Sequence, residues 1–140
     1  MQTPAPKYTY ADHLDTHPEI ATRENAEALV RLRAKRWLQR KFVVEVSAMA
    51  TRLKVPNNKR NSQRQIVEFL DTLVWPLWYD VVLKEKNIIA GTEIFGSKVK
   101  KVGRDRRLTL EDGRRVTPTD LDPRYGELHR ELCQQHNWGH

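Results

Sequence analysis

Along the first 86 positions, apolar residues recur at intervals of three and four. After Asn87 they give way to short, β-branched runs punctuated by glycine. That change of period predicts an α+β chain: a helical N-terminal two-thirds with three or four helices, then a small antiparallel β ribbon and a C-terminal helix. Residues 1–15, with Pro4 and Pro6 among polar neighbours, read as a flexible arm. Thr16, Pro18 and Glu19 have the form of a helix start, and the helix is expected to run to about Phe42. Ala26, Val30, Ala34, Trp37 and Leu38 fall on one arc, with Lys41 at its end. Arg31, Lys35, Arg36, Gln39 and Arg40 fall on the other, Leu29 and Leu32 among them.

A second helix, about 45–54, carries Val46, Met49, Ala50 and Leu53 and stops at Val55-Pro56. Ser62 with Gln65 forms a capping box for the next. The spacing of Ile66, Leu70, Leu73, Val74, Leu77, Trp78 and Val81 keeps its phase across Pro76. It predicts either two helices, 63–74 and 77–86, or one kinked at the proline. Trp75, Trp78 and Tyr79 make this the densest apolar stretch and the expected core. The ribbon spans 88–117. For its last hairpin, a three-residue Glu111-Asp112-Gly113 loop with Gly113 left-handed puts Leu108 opposite Val116, whereas a two-residue Asp-Gly turn mismatches the faces. Asp122-Pro123 opens a helix to about 136 that carries Tyr125, Leu128 and Leu132 on one side, and 137–140 is a tail. One globular domain, 16–136, is the expected organisation.

Charge changes this picture most. Twenty-five Lys and Arg against 18 Asp and Glu give a formal +7, which favours a polyanionic partner. The single cysteine, Cys133, excludes an internal disulfide and suits a reducing compartment. No apolar run is long enough to span a bilayer, and the first ten residues lack the form of a secretory signal. A cytoplasmic protein without a membrane partner is the expectation.

Residues 48–56 resemble the first helix and turn of a helix-turn-helix unit, although the turn lacks glycine and Ser62 delays the second helix. The stretch 45–74 also resembles a SAP-type helix-extended-helix module, without the glycine and lysine typical of its loop. Two ordinary core helices joined by a polar loop fit the same residues. In either case the N-terminus of the third helix, with Lys59, Arg60 and Arg64 around it, presents N–H groups and cations together, an arrangement suited to phosphate. The ribbon adds Lys98, Lys100, Lys101, Arg104, Arg106, Arg107, Arg114 and Arg115. It reads either as a wing lying on a nucleic-acid backbone or as an edge guarded by charge. Aromatics do not interleave with these cations, which favours duplex or structured nucleic acid over single strands.

Other chemistry finds less support. His129, Cys133 and His136 recur at helical spacing with His140 behind them, and His13 and His17 stand four apart. Three ligands on one helix cannot converge on a tetrahedral ion, so no metal or other cofactor is expected. No phosphate loop, nucleophile elbow or metalloprotease helix is present, and Asp80, Glu85 and Glu93 make no metal-nuclease set, so no catalytic residue is expected. The sequence therefore predicts a non-catalytic binder of DNA or structured RNA, with a regulatory role open to it. Its contacts would come from Arg36, Arg40, Lys59, Arg60, Arg64, Lys98, Lys100, Lys101, Arg104, Arg106, Arg107 and Arg114. The alternative is a small accessory or phage-type factor docking on an acidic protein surface of a larger nucleic-acid machine.

Overall fold

The computed structural model describes residues 10–34 and 43–136, with side chains to 134. Among them are five helices: α1 (Tyr10–Thr16), α2 (Arg23–Ala34), α3 (Val43–Arg52), α4 (Gln63–Glu85) and α5 (Pro123–His136). A sheet lies between α4 and α5, with strands β1 (Glu93–Ile94), β2 (Ser97–Val102), β3 (Leu108–Leu110) and β4 (Arg115–Val116). All neighbours pair antiparallel in the order β1-β2-β3-β4. The chain is α+β, as its change of period predicts, and no helix among the described residues is long and apolar enough to cross a membrane.

Helix α4 is the centre. The cap predicted at its start is half made: the Ser62 hydroxyl accepts the Gln65 N–H at 3.2 Å, but the buried Gln65 Oε1 finds no partner. The helix passes through Pro76 without a break, a proline that is itself buried. Losing one backbone bond there is offset by apolar burial on both sides, since Leu73, Val74, Leu77 and Trp78 are wholly enclosed. Asn87 ends the helix in the left-handed region, where the Ile88 N–H reaches the Leu83 carbonyl at 2.9 Å. Ile88 and Leu83 then join one cluster, the apolar contact that usually accompanies this cap.

Two adjoining cores result. The larger gathers Ala26, Leu29 and Val30 of α2, Val46 and Ala50 of α3, most of α4, and Leu128 and Leu132 of α5. The smaller joins Leu83 and Ile88 to Val99, Leu108 and Leu110, with Leu121 touching both. The sheet is thus fixed to the C-terminal end of α4.

Two boundaries near the N-terminus differ from expectation. Residues 10–15 are no arm: α1 buries Ala11, His13 and Leu14 against the larger core. An alternation too short to register as a helix is stabilised by tertiary burial. The helix start at Thr16 is also displaced. Pro18–Ile20 form a 3-10 turn, and Thr22 caps α2 by accepting the Asn25 N–H at 3.2 Å. Leu29, placed with the cations by its position on the arc, is buried. Arg36 and Arg40 lie outside the described residues, as do the arc positions beyond Ala34.

His13 gives the fold a pH dependence. Its ring is fully enclosed, edge-on to Phe69 and to His17, and its Nε2–H donates to the Leu53 carbonyl at 2.6 Å. Burial pushes the imidazole below its usual 6.5. The carbonyl bond and Glu19, itself tied to Lys54, oppose the shift, and His17 adds to it. A histidine lowered in the folded state takes its proton first when unfolded. Stability is therefore complete above about pH 6.5 and falls as the pH drops below it, by at most about 1.4 kcal/mol per pH unit. Glu85 beside Arg23 and Glu131 beside Arg31 are held below the ordinary 4.5 and contribute only at more acid pH. Melting curves between pH 7 and 5 are expected to show a falling Tm, and His13→Gln, which keeps a donor for Leu53, is expected to flatten it. An unchanged slope in the variant excludes His13 as the cause.

Candidate nucleic-acid interface

Strand β2 cannot alternate strictly, because Val99 and Val102 both face the small core three positions apart. A bulge resolves the conflict: the register with β3 shifts between Val99 and Lys101, so Lys100 is the extra residue. Both lysines are consequently exposed, as is Lys98. Further across the sheet, Lys101 stands opposite Thr109, and Thr109 opposite Arg115. The expected three-residue loop with Gly113 at positive φ sets this second register, with Leu108 facing Val116. Lys98, Lys100, Lys101 and Arg115 join no ion pair among the described residues.

Beside them the β2–β3 loop supplies more charge. The Gly103 N–H donates to the Arg107 carbonyl at 2.8 Å, and the Arg106 N–H to the Gly103 carbonyl at 2.9 Å. A Cβ at position 103 would stand 2.8 Å from the Asp105 carboxylate, which accepts the Arg107 N–H. A side chain at 103 would therefore displace the Asp105 carboxylate from the Arg107 N–H. Tyr10, Lys101, Arg104, Arg107, Thr109 and Arg115 line a groove of about 570 Å³ along this edge, with Asp105 its only carboxylate among the described residues. Arg107 is well exposed and 3.9 Å from Asp105, whereas Arg104 is held at 2.9 Å by Asp12.

From Ser97 to Thr117, eight cations face three carboxylates, which concentrates five of the seven net charges in one ribbon. The helices neutralise most of theirs locally. Arg31 pairs with Glu131, Arg33 with Asp71, Lys54 with Glu19, and Arg124 with Glu27.

Several expected contacts are occupied instead by structure. The Arg60 guanidinium donates to the Val55 carbonyl at 2.7 Å and the Ala50 carbonyl at 2.8 Å, closing the end of α3. Arg64 is explained without an anion, since Glu68 one turn on binds it at 3.0 Å. Lys59 and Arg64 stand at the start of α4, and the sheet at its other end. A helix of 23 residues separates them by about 30 Å. The turn and the ribbon therefore do not form the single face that their shared charge suggested.

Arg106 is buried to 15% exposure, bonded to Asp80 at 3.1 Å, Asp15 at 3.0 Å and the Arg104 carbonyl at 2.9 Å. Arg114 divides its guanidinium between Asp112 at 2.7 Å and the Phe95 carbonyl at 2.6 Å. What remains together is Lys98, Lys100, Lys101, Arg104 and Arg107, joined by Arg115, whose place beside Lys101 depends on registers across two strand pairs.

The histidine-cysteine pattern of α5 brings Cys133 Sγ within 3.7 Å of His129 Nδ1, and no group of three metal-ligating side chains occurs among the described residues. The stretch likened to a helix-turn-helix unit places in second position α4, the most enclosed helix of the molecule rather than a projecting one. No protein-family model, curated protein or solved structure matches the chain.

Proposed function

We propose that the protein binds DNA or structured RNA without catalysis, mainly through phosphates, on the outer face of its sheet. The observation that supports this reading is the row of cations along β2 and across to β4 that have no ion-pair partner among the described residues, beside a groove whose described lining holds one carboxylate. Six strand residues span about 20 Å, or roughly six base-pair rises of 3.4 Å, so one straight backbone segment can touch Lys98, Lys100, Lys101 and Arg107 in turn. Paired cations elsewhere would first have to leave their carboxylates.

Counterion release makes the reading testable. With about four or five phosphates neutralised, log affinity against log salt should fall with a slope near −4 on duplex DNA. Lys101→Ala with Arg115→Ala should make that slope shallower by about 2 and leave the fold intact, both side chains being exposed. Fluorescence anisotropy on a labelled duplex at several salt concentrations measures both. Absence of binding at about 50 mM salt excludes the reading and leaves docking on an acidic protein surface in its place.

A further inference from the structure

Phe95 is misplaced by every rule of folding that governs its neighbours. It opens the two-residue loop between Ile94 and Ser97, where both loop residues have positive φ, 48° at Phe95 and 79° at Gly96. That hairpin geometry asks for Asn-Gly, and a bulky aromatic in the left-handed region is a marked departure. Gly96 obeys the rule. Phe95 gains only partial burial in return: it is 48% exposed and belongs to neither core cluster. The loop is nevertheless held firmly, by the Arg114 guanidinium on the Phe95 carbonyl. A strained residue that stability does not explain points to a role outside folding.

Its position suggests which. Phe95 lies at the tip of the ribbon, at the end of the lysine row, about two strand positions beyond Lys98 along the hairpin axis, or about 7 Å and some two base-pair rises. Two carboxylates stand near this end of the row: Glu93, across from Lys98, and Asp112, which holds the Arg114 guanidinium that binds the Phe95 carbonyl. A backbone tracked along Lys101, Lys100 and Lys98 would bring its bases level with the exposed ring. Apolar side chains at such places wedge between base steps at an unstacking cost of about a few kcal/mol per step, and that cost is smallest where a base is already unpaired.

We propose that Phe95 is a stacking wedge which gives the protein a preference for nucleic acid carrying an unpaired base over continuous duplex, an inference that rests on the phosphate-binding reading above. The ring would supply the discrimination and the lysines the general affinity.

The test compares a short continuous DNA duplex with the same duplex containing one unpaired 2-aminopurine, at about 50 mM salt. The wild type is expected to bind the second about tenfold more tightly, the scale of stacking one base on an aromatic ring, and to change the 2-aminopurine fluorescence. Phe95→Asn should lose the preference and the fluorescence change, keep its affinity for continuous duplex within about twofold, and melt about 3 °C higher because the loop is relieved. Phe95→Trp should retain the preference. Equal binding of both duplexes by the wild type, or a preference surviving in Phe95→Asn, overturns the wedge while leaving phosphate binding intact. No binding of either duplex overturns both.

Discussion

Replacing Asp122 by alanine is expected to destabilise the protein by about 3–4 kcal/mol and to lower its Tm by about 10 °C. The sequence marks Asp122 only as a cap, and it does accept the Arg124 N–H at 3.2 Å at the start of α5. The folded chain gives it two further partners. Trp78, wholly buried in α4, donates its indole N–H at 2.9 Å, and Arg23 of α2 approaches at 3.2 Å with its guanidinium over the Trp78 ring. Without the carboxylate, the indole N–H is left unsatisfied in an apolar interior, at about 1–3 kcal/mol. Loss of the cap costs about 1 kcal/mol more. Arg23 keeps Glu85, bonded at 3.0 and 3.2 Å, which limits its share. Asp122→Asn retains an oxygen for one of the two N–H groups, since Oδ2 accepts the Trp78 N–H and Oδ1 the Arg124 N–H, and turned to keep Trp78 satisfied it should cost about 2 kcal/mol. Urea unfolding of the three proteins measures the order; equal loss in the alanine and asparagine variants would place the effect in charge rather than in satisfied N–H groups.

Arg106→Ala is expected to cost about 3 kcal/mol, although its neighbours Arg104 and Arg107 should tolerate alanine with about 0.5 kcal/mol or less. Its guanidinium and the Asp80 carboxylate are each about 15% exposed or less, and their separation of 3.1 Å fixes the β2–β3 loop to α4. The backbone of Arg106 has a φ of 69°, the left-handed position of the loop, which costs an L-residue about 1–2 kcal/mol. Alanine loses the ion pair and keeps the strain. Glycine loses the pair and escapes the strain, so Arg106→Gly should be the milder change by about 1 kcal/mol, the reverse of the usual order. Chemical denaturation of both variants decides it. A glycine variant less stable than the alanine one would show that the loop is held by something other than this side chain.

Arg106 also shows why twelve cations cannot be ranked from the sequence. Arg104, Arg106 and Arg107 are adjacent and chemically alike, yet one is buried against α4, one is tied to Asp12 and one faces the groove. Their difference comes from Asp12, Asp15 and Asp80, between 26 and 92 positions away. Arg60 has the same history. Turn chemistry around Pro56 and Asn57 identifies a polar loop, but only the folded path returns position 60 to the Ala50 and Val55 carbonyls at the end of α3. Phe95 follows the same pattern, because its positive φ and half-exposed ring are set by the folded hairpin and not by its neighbours in sequence.

Wherever the determining interaction is local, the residues alone decided the outcome. The Ser62 cap, the span of α5 and the pairing of Leu108 with Val116 depend on steric and hydrogen-bonding constraints within a few residues. Helix α3, in contrast, ends at Arg52, before the expected stop at Val55-Pro56, because Lys54 takes the left-handed position and the Val55 N–H closes on the Ala50 carbonyl. The concentration of positive charge between positions 97 and 117 is likewise a property of the chain. Tertiary structure decided the rest: that α1 forms at all, that Pro76 lies inside one unbroken helix, that Asp122 joins three elements, and which cations are spent on carboxylates. Burial energy and ion pairing are set by groups distant in sequence, and a pattern of neighbours along the chain carries no record of which of them will meet.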